Sequence, residues 1–339
     1  MLRRLVPFIA LAGGCIEYEP QLNQGVDVFT QEPPESIDIL LIVDNSCSMA
    51  SYQSQLASNF GSFITWFVEG NVDYQIGITT TDDGNDPDNS PSSARGAFVG
   101  NMITSADDPS AAEASFRQQV NVGTSGSGME VGLKTAYMAL TNEALVAGPN
   151  SGFLRDDAEL SVVFVSDEED SSPWATAEYI NAFFDVKGHR DRDVFNASAL
   201  TVTDETQCTP TAAEASSPGT RYVDVATQTH GLVANLCDDD FAGIVTDLSL
   251  ATSRMTGTYF LSADPDPATL TVTIGAPDGT EAQVPCTDGQ WTYERVTQDG
   301  EEVPAVVFAS DQLPELRSRI TIRYMYGGGQ VDAFCPEAQ

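Results

Sequence analysis

The seven residues Ile37-Asp38-Ile39-Leu40-Leu41-Ile42-Val43 are almost wholly apolar, and they give way at once to Asp44-Asn45-Ser46-Cys47-Ser48. An apolar run of that length, closed by turn residues, predicts a strand buried on both faces, as in a parallel sheet. Behind it Leu56, Phe60, Phe63, Ile64 and Phe67 recur at helical spacing, and Gly70-Asn71 ends the stripe. The alternation then repeats. Residues 72–80 read as a strand, 97–99 as a short edge strand and 109–120 as a helix. Met129, Leu133, Ala136, Tyr137, Leu140 and Ala144 line one side of a further helix. Residues 160–165 and 194–202 read as strands, 224–236 and 240–255 as helices, and 258–261 as a last strand. This order over 36–263 predicts an α/β domain with a doubly wound, mostly parallel sheet. From Asp264 the texture changes. Short alternating runs at 270–274, 282–284, 291–296, 306–308 and 320–326 are punctuated by Pro277-Asp278-Gly279, Asp288-Gly289 and Asp299-Gly300. That pattern predicts a small all-β domain over 264–339.

The N-terminus adds an address. Arg3 and Arg4 precede an apolar stretch, 5–12, too short to span a bilayer, so 1–14 read as a secretory signal. Ala12-Gly13-Gly14-Cys15 resembles a bacterial lipobox, with Leu11 one place earlier than usual; the resemblance implies a lipidated Cys15. Ile16 in place of Asp implies outer-membrane sorting or the cell surface of a Gram-negative bacterium. Residues 15–35, rich in Glu, Gln and Pro, read as an extended tether. Membrane contact is then expected through the lipid anchor only. Five further cysteines remain: Cys47, Cys208, Cys237, Cys286 and Cys335. Disulfides persist in an exported protein. Cys208 with Cys237 and Cys286 with Cys335 are the pairings that respect the domain division, although sequence alone does not fix connectivity. Cys47 is left over, as a small buried residue or a free thiol. With 15 basic against 50 acidic residues the net charge is −35, which repels nucleic acid and disfavours anionic lipid.

The chemistry gathers in three loops. Asp44, Ser46 and Ser48 form D-x-S-x-S just past a buried strand, where open α/β sheets bind ligands. Their oxygens are hard donors suited to Mg²⁺ or Ca²⁺, and the same residue types also favour turns and caps. Here the sequence resembles the von Willebrand factor type A (VWA) family, whose metal-ion-dependent adhesion site opens with this motif. The family pattern then needs a Thr or Ser in a second loop and an Asp after a later strand. Counting back six residues from Leu133 gives Ser127, with Thr124 as the alternative. Ser127-x-x-Glu130 also reads as a capping box, and Glu130 with Lys134 as an i,i+4 pair. Asp167 follows strand 160–165 directly; Glu168, Glu169 and Asp170 read as a solvated acidic turn and helix start. The resemblance implies that Asp44, Ser46, Ser48, Ser127 and Asp167 hold Mg²⁺ (or Ca²⁺ or Mn²⁺) with one position open. A protein ligand would fill it with an acidic side chain.

Other readings follow from the same residues. The acidic stretch 82–93 suggests a second Ca²⁺ site but lacks a bidentate Glu, so it reads as plain loop. A scaffold with a structural metal would keep the same loops. A hydrolase is disfavoured: the two histidines are His189 and His230, and there is no G-x-S-x-G, no H-E-x-x-H and no phosphate-binding Gly-Lys loop. Cys47 has no basic neighbour in sequence to activate it.

Overall fold

In a computed structural model, the described residues are 23–84, 94–187, 194–208, 216–252, 257–286, 289–298, 301–308 and 312–327. They divide into two units. The α/β unit holds 31–256 and 314–318; the β unit holds the residues up to 30, 257–313 and those from 319. The first described strand, β1 (Asn23–Thr30), therefore belongs to the β unit.

The α/β unit is built on six strands: β2 (Ser36–Val43), β3 (Asp73–Thr80), β4 (Ile103–Thr104), β5 (Glu159–Ser166), β6 (Phe195–Thr201) and β7 (Val233–Asn235). Their order is β4-β3-β2-β5-β6-β7. All pair in parallel except β4, which runs against β3. The apolar run in β2 is split by the pleat: Ile39, Leu41 and Val43 join one core and Leu40 and Ile42 the other. The first core is covered by α1 (Ala50–Ser58), α2 (Phe60–Gly70) and α3 (Pro109–Val120). The second is covered by α4 (Gly132–Thr141), followed by the short α5 (Glu143–Val146), then α6 (Thr176–Val186) and α7 (Thr220–Gln228). The last helix, α8 (Phe241–Thr252), returns to the first face. Asn59 breaks the predicted first helix in two, and Asn71, left-handed at φ 54°, caps its second half as expected. Asp38, the one charge in β2, is fully buried and paired by Arg155, whose Nε donates to its Oδ1 at 2.7 Å.

The β unit contains two antiparallel sheets. One has the order β1-β13-β9-β10, with β9 (Thr271–Gly275), β10 (Glu281–Val284) and β13 (Arg319–Tyr326). The other is β11-β12-β8, with β8 (Thr258–Phe260), β11 (Trp291–Gln298) and β12 (Glu301–Phe308). Tyr259, Val272, Trp291, Val306, Ile320 and Ile322 are among its core residues.

Four expectations change. Residues 23–30 are not part of a tether: they pair with β13 along their whole length. Gly25 lies against the Tyr324 ring, where an added Cβ would come within 2.5 Å, and Asp27 accepts from the Tyr324 hydroxyl at 2.7 Å. The strand expected at 258–261 pairs with β12 rather than with the α/β sheet. The edge strand of that sheet is instead β7, because α7 stops at Gln228 and His230 turns left-handed (φ 57°). The edge beside β3 is 103–104 rather than 97–99; Val99 gives β3 a single bond, its N–H to Ile78 O. Cys208 and Cys237 form the expected disulfide. Cys286 is disulfide-bonded, while Cys335 lies outside the described residues. Cys47 is free and exposed. The signal segment, Cys15 and most of the acidic stretch 82–93 also lie outside the described residues. Among the described residues no helix is long and apolar enough to cross a membrane.

Candidate functional site

From β2 the chain crosses to β3 on one side, while β5 pairs on the other. This reversal of winding lies at the carboxyl ends of β2 and β5, the usual ligand position in such sheets. Asp44 leaves β2 there and stays tied to β5, its N–H donating to Val165 O at 2.9 Å. Its carboxylate is fully buried. Oδ1 accepts the Ser46 N–H at 2.7 Å, and Oδ2 accepts the Ser166 hydroxyl at 2.6 Å. Ser46 Oγ lies 3.2 Å from Ser48 Oγ, and Ser48 Oγ donates to Asp167 Oδ1 at 3.1 Å. Four of the five expected residues are thus brought together, from the ends of two neighbouring strands.

The second loop is fastened to the first by backbone and amide bonds. Gly126 N–H donates to Asn45 O at 2.7 Å, and an added Cβ at Gly126 would come within 2.3 Å of the Asn45 side chain. Gln53 Nε2 donates both to Asp44 O and to Gly123 O, at 2.8 and 2.9 Å. Ser127 is buried and Thr124 exposed. The Ser127 hydroxyl accepts from Met129 N–H at 2.9 Å, a bond within its own loop rather than to the Asp44–Asp167 group. Nor does it cap a helix, because α4 begins only at Gly132. The cap comes from the third loop: Leu133 N–H donates to Asp170 Oδ1 at 3.1 Å and Lys134 N–H to Ser172 Oγ at 3.0 Å. The expected Glu130–Lys134 pair is replaced by Lys134 with Asp83. Asp170 is not solvated: it is buried, and Arg221 Nε donates to its Oδ2 at 2.9 Å.

Burying this many carboxylates together has an electrostatic cost. Burial raises Asp44 above the ordinary range, against the pull of its Ser166 and Ser46 hydrogen bonds. Burial and then the Asp44 charge push Asp167 up to about 6. Burial, Asp44 and Asp167 push Glu168 up to about 7. Glu130, only 1% exposed, is pushed up to about 9 by burial and then by Asp44. Neither of its oxygens accepts a well-formed hydrogen bond, although the Thr81 hydroxyl is close enough to ease its charge. No Lys, Arg or His is among the groups acting on these four. Asp167 Oδ2 is buried without a hydrogen-bond partner.

A small divalent cation suits this deficit. The donor set is two carboxylates with serine hydroxyls, hard oxygens that fit Mg²⁺, Ca²⁺ or Mn²⁺. It is not a cluster of His, Cys and acidic ligands; among the described residues no three such side chains are grouped to hold a metal. The sequence signals for Asp44 and Asp167 were a motif and a strand end. Asp170 gave none that separates it from a solvated loop acid, and Glu130 read as a helix-capping residue rather than a buried one.

No protein-family model matches the sequence, and no curated protein matches it. Among solved structures the chain is similar to proximal thread matrix protein 1 from the mussel byssus, at 11% identity and a TM-score of 0.40, over 68% of this chain and 50% of that one. A structure of the same mussel protein described as having a zinc-occupied MIDAS motif is similar at 12% identity and a TM-score of 0.39, over 67% and 48%. The pilus adhesin SpaC from Lactobacillus rhamnosus GG, in an open conformation, is similar at 11% identity and a TM-score of 0.42, over 90% of this chain. The chain spans about half the length of the mussel protein and 41% of the adhesin.

Proposed function

We propose that the protein is an exported, lipid-anchored VWA-type protein of the cell envelope that binds an acidic side chain of a protein partner through a divalent cation. One observation carries this reading. Asp44 and Asp167, from adjacent strand ends, are linked through Ser46 and Ser48, and the buried Asp167 Oδ2 is left without a hydrogen-bond partner. Asp44, Asp167, Ser46 and Ser48 would hold the cation, with Ser127 at the neighbouring loop. The cation supplies the positive charge that lets a strongly acidic protein attract a carboxylate. The residues around it do the rest. Ser166 and the Ser46 N–H orient Asp44, and Gln53 ties the first two loops together. Among the described residues Cys47 is a free, exposed thiol, and the reading is one of binding rather than catalysis.

The test is capture of partners from envelope extracts on immobilised protein. Wild type with Mg²⁺ should retain a partner that chelator releases and that Asp44→Ala never retains. Equal capture in Mg²⁺ and in chelator would rule the reading out.

A further inference from the structure

The proposed donors lie on separate loops, and two of those loops are joined by hydrogen bonds that involve none of the donors' side chains. Asp167 lies on the third loop and Ser127 on the second, and a second set of residues ties these loops together. Asp170 Oδ1 accepts from Leu133 N–H at 3.1 Å and from Ser172 Oγ at 2.7 Å. Its Oδ2 accepts from Arg221 Nε at 2.9 Å and from Ser172 N–H at 3.2 Å. With four donors on two oxygens, Asp170 has no lone pair left for an ion. Arg221 goes further: Nη2 donates to Ser172 O at 3.2 Å and to Trp174 O at 2.5 Å. On the second-loop side, Ser171 N–H donates to Glu130 O at 2.6 Å, and Lys134 N–H to Ser172 Oγ at 3.0 Å. Tyr222, next to Arg221, accepts from Gly132 N–H at 3.2 Å. Just after Asp167, Ser217 N–H donates to Asp167 O, and Glu169 accepts from the N–H groups of Thr220 and Arg221 at 3.1 and 3.0 Å.

We infer that Asp170 and Arg221 are positioning residues for the cation site: their ion pair locks the Asp167 loop to the start of α4 and so sets the spacing of the donors. The inference rests on the proposed cation site and adds to it two residues that touch no ion. A small cation that demands near-ideal geometry is sensitive to such spacing, and outer partners of metal ligands typically change affinity by about 10–100-fold.

Charge alone predicts the opposite for one of the pair. Arg221 is positive, so removing it should tighten cation binding if it acts only through its field. Removing it should weaken binding if it acts by holding the loop. Mn²⁺ binding to the whole protein, followed by electron paramagnetic resonance, separates the two, and water-proton relaxation counts the waters left on the ion. Arg221→Gln, Arg221→Lys and Asp170→Asn should each weaken Mn²⁺ binding by about tenfold or more and add water to the bound ion. Ser172→Ala, which removes one hydroxyl from the lock, should weaken it less and serves if a charge variant fails to fold. Wild-type affinity, or tighter binding, in Arg221→Gln and Ser172→Ala while Asp44→Ala loses binding would overturn the inference and leave the site standing. Absence of Mn²⁺ binding in wild type would overturn both.

Discussion

Asp167 turns like-charge burial into a measurable pH effect. It ionises near 3.8 in an open chain, and burial with Asp44 raises it to about 6 in the folded state. Between those values the unfolded chain has released a proton that the native state keeps. Stability is then full below pH 4 and falls as the pH rises through 6; Glu168, raised to about 7, extends the window upward. The shift at Asp167 corresponds to ~3 kcal/mol at most. In chelator, the melting temperature of the wild type should fall from pH 4 to 7, and Asp167→Asn should fall less. Repulsion among the surplus acids acts in the same direction, so the difference between the two proteins is the diagnostic quantity. Saturating Mg²⁺ should remove most of that difference by binding the native state. A chelated wild type that gains stability over this window relative to Asp167→Asn would contradict the buried-charge account. Asp170 behaves differently. As a solvated turn acid it would tolerate Ala; as the buried partner of Arg221 and Leu133 N–H it will not. Asp170→Ala should cost ~2–3 kcal/mol in urea unfolding, even with chelator present.

At the scale of elements, the ends of helices and the covalent bridge make separate predictions. Asp108 caps α3 by accepting from the N–H groups of Ser110 and Ala111, with Pro109 in the first turn. Asp108→Ala should lower stability by about 1 kcal/mol. The disulfide joins residues 29 apart in sequence and encloses α7, which carries Arg221. Replacing Cys208 and Cys237 together with Ala should cost about 3 kcal/mol in chemical denaturation; an unchanged midpoint would mean the bridge constrains little. The elements themselves were legible where burial dictates composition. β2 and β5 must be apolar on both faces, and the stripe of α2 must face the core. What was not legible depends on partners distant in sequence. The pattern of 258–261 predicts a strand but not which sheet it joins. Val26, Val28 and Phe29 are residue types that favour strands, but only β13 makes the segment one. In the site, D-x-S-x-S and the acid after β5 could be read from local order. Asp170 could not, because a solvated acid and a buried acid are the same letter until Arg221, 51 residues on, is in place; nor could Glu130, whose local capping-box pattern gives no sign of its burial.

For the whole molecule, the proposed lipid anchor at Cys15, read from the lipobox-like segment alone, makes its own prediction. Cys15→Ala should move the protein from the membrane fraction to the soluble one without detergent, and a wild type already soluble would refute the anchor. The path of the chain has a consequence of its own in time. Asp27 of β1 bonds to Tyr324 of β13 across 297 residues of sequence, and nearly all of the α/β unit lies between the two. Such a distant pairing closes slowly. As the chain is made in order, β1 emerges first and waits, while β2 to β7 already have one another. A chain cut short before residue 319 would therefore carry a finished parallel sheet and a bare strand edge, open to pairing with other copies. The first strand thus reports whether the last has arrived.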